Sequence, residues 1–250
     1  VAAAVPAAAA PRVDGKGQMV KDMAMTTPIL SPADNAKVAA AVGAAEAHAN
    51  AEIVTVVTRM SDSYADVALV WAALIAGLAL LALTVWSEFY LALVDYMLGL
   101  WNHHWAAREV LELALGVASI KFAAVWLILH WHRLRLMLTP GRVKSARVRA
   151  RAGVAFRLAA QGRTAGATGV VIYLSMAERR AEIIADATIA AKVAPAVWGD
   201  AMHAMLAHFR DDRVADGMVA GVAQVGEILA AHFPRESRAV NELPDGPIEL

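Results

Sequence analysis

Five carboxylates in the second half of the chain have the residue types that hydrolytic chemistry requires: Glu178, Asp186, Asp211, Asp212 and Asp216. A hard cation such as calcium or magnesium takes oxygen ligands, and once held it activates water and clamps phosphoryl oxygens. Glu178 sits in a short turn after one apolar run, Asp186 ends the next run, and the remaining three lie between the last two helical stretches. One expectation is therefore a divalent-cation site in which Glu178, Asp186 and Asp216 converge at one end of a sheet. The competing expectation gives each acid a local task. Asp186 then caps the segment that follows it, Asp216-Gly217 caps the last helix, and Asp211-Asp212 stays in solvent. Arg179 and Arg180 beside Glu178 oppose a cation there.

Other chemistries find less support. Ser175 follows a strand-like run, but no G-x-S-x-G elbow surrounds it. The absence of cysteine removes disulfides, thiol nucleophiles and the usual structural zinc sites. His203 and His208 stand five apart, off the i, i+4 register of a two-histidine metal motif. His103-His104 and the pair His130 and His132 flank tryptophans and read as interfacial polar residues rather than pigment or haem ligands.

The elements that must position these residues include two long apolar segments. Residues 67–86 run without a charge. At a helical rise of about 1.5 Å per residue, such a segment reaches the thickness of a hydrocarbon core, roughly 30 Å. Residues 111–131 form a second such segment, with Glu112 at its start and Lys121 in its middle. A lysine at that depth needs a partner or must reach for the interface. Glu112, Asp95, a lipid headgroup or another subunit would serve. Between them, residues 89–101 are apolar, short and broken by Asp95, which predicts an interfacial or re-entrant helix. Trp86, Trp101 and Trp105 cluster around it, as aromatic rings do at a headgroup layer. Lys121, Asp95 and these tryptophans are the candidate contacts with membrane or partner.

Lysine plus arginine and aspartate plus glutamate balance at 23 each, so only their distribution is informative. From residue 133 to 163 there are nine basic side chains and no acid. The positive-inside rule places that side in the cytoplasm, and two spans return the chain to the side on which it started. Arg133, Arg135, Arg142, Lys144, Arg147, Arg149 and Arg151 are the candidate lipid-headgroup contacts. These charges abut a span and have almost no aromatic residues among them, which argues against nucleic acid.

Outside the spans, Ser31 and Pro32 open an alanine-rich helix, 52–58 reads as a buried strand, 143–161 as a basic amphipathic helix, and 169–175 and 180–185 as two strands joined by a short turn. Residues 198–210 and 217–233 complete the order with two helices, and residues 1–30 read as a flexible arm. The stretches SPADNAKVAAAVGAAEAHANAEIVTVVTRMSDSYAD at 31–66, GRTAGATGVVIYLSMAERRAEIIAD at 162–186, WGDAMHAMLAHFRDDRVADGMVAGVAQVGEILAAHFP at 198–234 and NELPD at 241–245 resemble the TPM domain family, also called TPM phosphatases. The likeness is to its bacterial membrane branch, in which a transmembrane hairpin interrupts the domain.

That resemblance implies an α/β fold, a sheet sandwiched by helices and interrupted by a two-span hairpin. It divides the chain into an arm at 1–30, a first part of the domain at 31–66, the hairpin at 67–132, a basic juxtamembrane helix with the rest of the domain at 133–234, and a tail at 235–250. Members of the family are associated with acid phosphatase activity, metal binding, or the repair and assembly of membrane complexes, photosynthetic ones included. Members thought to bind metal carry an acidic pair near the turn where this chain has Ala177-Glu178-Arg179-Arg180. The expectation is a non-catalytic accessory protein of the bacterial inner membrane, with its domain on the cytoplasmic side, serving a photosynthetic, respiratory or other membrane complex. The rivals are a membrane-tethered metal-dependent phosphatase and an anionic-lipid-binding scaffold.

Overall fold

A computed structural model describes residues 28–100, 104–161, 168–209, 213–235, 243 and 245–250. The arm at 1–27, Trp101, His103, Arg163 and the Asp211-Asp212 pair lie outside the described residues.

Short apolar runs make β1 (Glu52–Thr58), β2 (Gly169–Ser175) and β3 (Arg180–Ala185). β2 pairs in parallel with β1, from Glu52 opposite Gly169 to Thr58 opposite Ser175, and in antiparallel with β3. A short β4 (Ile248–Glu249) joins the free side of β1, giving the order β3-β2-β1-β4. The residues read as a tail thus supply a strand. Two residues are too few for any periodicity to announce, and the pairing with Val56 and Val57 makes the strand. Glu249 then accepts from the backbone N–H of Ile29 (2.7 Å) and Leu30 (3.1 Å), fastening the approach to the first helix.

The two faces of the sheet are covered by different helices. Ile53, Val57, Val170, Ile172 and Leu174 face α1 (Pro32–Glu46), α8 (Trp198–Phe209) and α9 (Val214–His232). Val54, Val56, Val171 and Tyr173 face α6 (Gly141–Ala159), through Val148, Ala152, Ala155 and Phe156. Every residue of β2 is buried. Each of its large side chains contributes about 1.5–3 kcal/mol. Ser31 closes a capping box with Asp34 at the start of α1. The last helix begins at Val214, three residues before Gly217. A Cβ on Gly217 would stand 2.7 Å from the Met205 carbonyl oxygen, so this glycine serves close packing of α9 on α8 rather than a helix start.

α2 (Ala65–Val85) and α4 (Ala107–Ile128) pack side by side as a hairpin, with α3 (Ser87–Leu98) between them in sequence. Among the described residues, three helices are long and apolar enough to cross a membrane: α2, α4 and α9. The third is a core helix whose Met218, Val222, Val225 and Leu229 are fully covered. The first two keep large apolar side chains outward, Val70 at 65% and Leu111 at 70% exposure among them. α4 stops at Ile128, short of Trp131. The Arg135 guanidinium donates to the His130 carbonyl (3.2 Å) and to the Ser63 carbonyl (2.8 Å), which holds a break there before α5 (His132–Leu138).

Candidate functional site

The carboxyl ends of adjacent parallel strands are where open α/β sheets place ligands. Here the chain leaves β1 through Arg59-Met60-Ser61-Asp62-Ser63 and enters α2 at Tyr64. The turn between β2 and β3 is bonded to that exit: the N–H of Met176 donates to Thr58 O (3.0 Å) and that of Ala177 to Arg59 O (2.9 Å). Glu178 is thereby held over the root of the hairpin, and it is only 7% exposed.

Three donors converge on that carboxylate: the Ser61 N–H (2.9 Å), the Tyr64 hydroxyl (2.9 Å) and the Ser175 hydroxyl. Because a carboxylate only accepts, Ser175 donates to it. The remaining hydroxyls then fall into one direction, with Ser61 Oγ donating to Ser175 Oγ (2.9 Å) and Tyr173 OH donating to Ser61 Oγ (3.1 Å). Burial, and after it the bond to Glu178, hold the Tyr64 phenol above its ordinary range; burial also raises Tyr173. Both phenols are donors here, not acids.

Tyr64 adopts a left-handed backbone, with φ at 52°. A bulky side chain takes that conformation at a cost of about 1–3 kcal/mol. Its surroundings hold it there. Asp62 accepts from its N–H (3.2 Å), Glu178 from its hydroxyl, and the Arg147 guanidinium lies over its ring at 5.1 Å. Arg147 also bonds Asp62 (2.5 Å) and Asp66, tying α6 to the first turn of α2. Tyr64, Val67 and Leu136 close a small apolar cluster beneath, with Met60, Trp71 and Val143 against it. The node can brace the hairpin against the sheet. As base or ligand, Glu178 has one acceptor site left, on Oε2, and the enclosure of the side chain restricts access to it.

The structure does not bring the three predicted cation ligands together. Glu178 is at the carboxyl end of β2. Asp186 follows β3 and so lies at the other end of the sheet, where it accepts from the Gly169 N–H (3.2 Å). Asp216 pairs with Lys37 and, at 3.7 Å, with Arg213. The local tasks are also redistributed. Asp186 stands at the start of α7 (Ala187–Ala190) without a side-chain cap bond, and Asp216 is inside the first turn of α9 rather than capping it. No group of three histidine or acidic side chains able to hold a metal occurs among the described residues. A hollow of about 490 Å³ on the outer side of the turn is lined by Arg179, His203, Leu206, Ala207 and Phe209, with no carboxylate from the described residues.

The expected lipid contacts divide. Arg135 and Arg147 are engaged by protein partners at the hairpin root, while Arg149 is exposed and pairs with Glu182 at 3.4 Å. Arg133, Arg142, Lys144 and Arg151 make no ion pair or hydrogen bond with the described residues. Neither acid suggested for Lys121 meets it: Glu112 pairs with Arg108 (2.7 Å) and Asp95 accepts from Trp105 Nε1 (3.1 Å). Lys121 is exposed on α4, and Trp86 is exposed at the far end of α2. Ser61, Tyr64 and Tyr173 are not among the sequence candidates. The signal for them is the polar run Ser61-Asp62-Ser63-Tyr64 between a buried strand and a long apolar segment, which no anchor requires.

Comparison with known proteins bears on the fold. The family model described as the TPM domain matches residues 142–228. No curated protein matches the chain. Among solved structures, the NMR structure of the BA42 protein from the psychrophilic bacterium Bizionia argentinensis is similar at a TM-score of 0.51 and 15% identity, over 90% of this chain and 98% of that one. That likeness concerns the fold.

Proposed function

We propose that this chain, whose residues 142–228 match the TPM domain, is a membrane-anchored accessory protein without turnover of its own, which binds and stabilises a larger membrane protein complex. The observation that carries the reading is the state of Glu178. In the position where the sheet would present a reactive carboxylate, this side chain is enclosed and occupied by three protein donors that fix the root of the hairpin. α2 and α4 have the length and outward apolar surface of bilayer spans. The basic run after α4 supports a cytoplasmic position for the domain, against a bacterial inner membrane. Lys121 stands about two-thirds of the way along α4 and has no partner among the described residues. A charge at that depth then faces either another protein or a path to the interface.

A photo-crosslinking residue in place of Lys121, activated in intact cells, tests this directly. A discrete adduct with one membrane protein is the expected result. Adducts with lipid alone, together with a lone monomer in native mass measurements of the detergent-purified chain, overturn it. The rival, a phosphatase using calcium or magnesium, predicts metal-dependent hydrolysis of generic phosphate esters by the purified chain. It also predicts loss of that hydrolysis with chelator and in Glu178→Gln. The separation of Glu178, Asp186 and Asp216 disfavours it.

A further inference from the structure

α5 has two faces of opposite character. Inward, Leu136 packs on Tyr64 and Arg135 bonds the Ser63 carbonyl. Outward, Trp131 and Met137 are 77% and 74% exposed, and a hollow of about 470 Å³ is bounded by Trp131, His132, Arg133, Leu134 and Met137. Apolar side chains held outward at that exposure mark a contact surface rather than a solvated one. This surface continues from the exposed Leu127 and Ile128 at the end of α4. Arg133 lines the hollow itself, and Arg142 and Lys144 follow in the first turn of α6, a few residues after α5 ends; the described residues leave all three cations without an ion pair or hydrogen bond. Val143 between the latter two packs into the same cluster as Leu136.

We infer that α5 lies in the headgroup layer on the domain side of the bilayer, and that its hollow holds one anionic phospholipid. The phosphate is matched by Arg133, Arg142 and Lys144, and the upper acyl chain by Trp131, Leu134 and Met137. The inference rests on the reading of α2 and α4 as membrane spans. A soluble anion would have no use for the apolar ledge, and a neutral lipid none for the cations. Only an amphiphile with a negative head uses both. Arg135 and Arg147 belong to the root, so the lipid site is narrower than the basic run that contains it.

The full chain, reconstituted in nanodiscs of mixed phosphatidylcholine and phosphatidylglycerol and released into mild detergent, provides the test, with retained lipid counted by native mass spectrometry. Phosphatidylglycerol is expected to be retained at least tenfold over phosphatidylcholine, with roughly fivefold lost for each of Arg133→Gln and Arg142→Gln. Arg157→Gln, an exposed arginine farther along α6, should leave retention unchanged. Trp131→Ala with Met137→Ala should lower retention of both lipids and keep the preference. Equal retention of the two lipids, or an Arg157→Gln effect as large as that of Arg133→Gln, overturns the site. So does a crosslinker replacing Met137 that captures protein instead of lipid. Alkaline carbonate extraction separates the two failures. A chain stripped from vesicles ends the membrane reading and this inference together, whereas a chain that stays integral without lipid preference ends this inference alone.

Discussion

The sandwich and the hairpin use the same residue types in opposite ways. In the sandwich, Ile172 and Leu174 are fully covered by neighbours in the chain. In the hairpin, Leu78 and Leu81 are half or more exposed, and α4 buries none of its residues in the protein. Both regions are built of leucine, valine and alanine, so what distinguishes them is where the covering surface comes from. The domain supplies its own. The hairpin leaves its outward apolar side chains without cover from the described residues, and Lys121 adds one charge to that surface.

The largest effect that would sharpen this contrast comes from removing a side chain in each region. Ile172→Ala should cost about 2–5 kcal/mol of unfolding free energy in micelles, because it opens a cavity between β2 and the α1/α8/α9 layer. Leu78→Ala should cost less than about 0.5 kcal/mol, since detergent fills the space. Equal losses, measured by chemical denaturation, would mean that the hairpin is packed by protein even in the isolated chain.

Glu46 provides a test confined to the domain. Burial, and to a lesser extent the neighbouring Glu52 and Asp245, raise its folded pKa from 4.5 to about 7, against the lowering effects of the Ile53 N–H it accepts (2.7 Å) and of Arg235. The folded state then binds a proton that the unfolded state releases. This contribution to stability is full below about pH 4.5 and is lost as pH rises through about 7. Its size is on the order of 3 kcal/mol. Glu46→Gln keeps an acceptor for Ile53 and should flatten that slope, leaving the variant the more stable chain at pH 8. An unchanged slope in the variant would assign the pH dependence elsewhere.

Glycines give a smaller contrast of the same kind. A Cβ on Gly226 would stand 2.6 Å from Ala45 Cβ. Gly226→Ala should therefore push α9 off α1 at a cost of about 1–3 kcal/mol. Nothing lies within 4 Å of the corresponding position at Gly77, so Gly77→Ala should be neutral or slightly stabilising by thermal unfolding.

How much of this is legible in the sequence follows from the same division. The apolar pattern locates β1 and β2 to the residue, because a strand buried on both faces reads as one continuous run, and the half-buried β3, interrupted by Glu182, falls at its expected bounds after the turn. The two helices of the hairpin stand out by length and apolar composition. The start of α9 differs from the sequence expectation because Gly217 looks like a cap, while its actual role, contact with Met205, is a property of the fold. The carboxylates mislead for a similar reason. Glu178 and Asp186 are close in sequence, and an antiparallel strand carries them to opposite ends of the sheet. The hydroxyl relay joins residues 61 and 64 to 173, 175 and 178 across the inserted hairpin, and spacing in one sequence carries no trace of such a pairing.

The joint between the two regions should yield a modest change in stability and a distinct change in behaviour. Arg147 contacts Asp62, Asp66 and the Tyr64 ring at once, but its carboxylate partners are 36% and 59% exposed. Such exposure limits what either pair is worth. Arg147→Ala should therefore cost about 1 kcal/mol, well below the loss from a core truncation. A double-mutant cycle should give Asp62 the larger coupling. Its contact is the less screened of the two, and it also holds the Tyr64 N–H in the strained turn. Arg147→Lys cannot span both carboxylates and should behave nearly as alanine does. The signature of a joint, as opposed to a mere surface ion pair, is location. Proteolytic nicking and amide exchange should increase at residues 59–66 while the protection of β2 stays unchanged. If protection is lost from β2 as well, the hairpin root and the sheet are one cooperative unit, and the division between the regions lies farther out along α2.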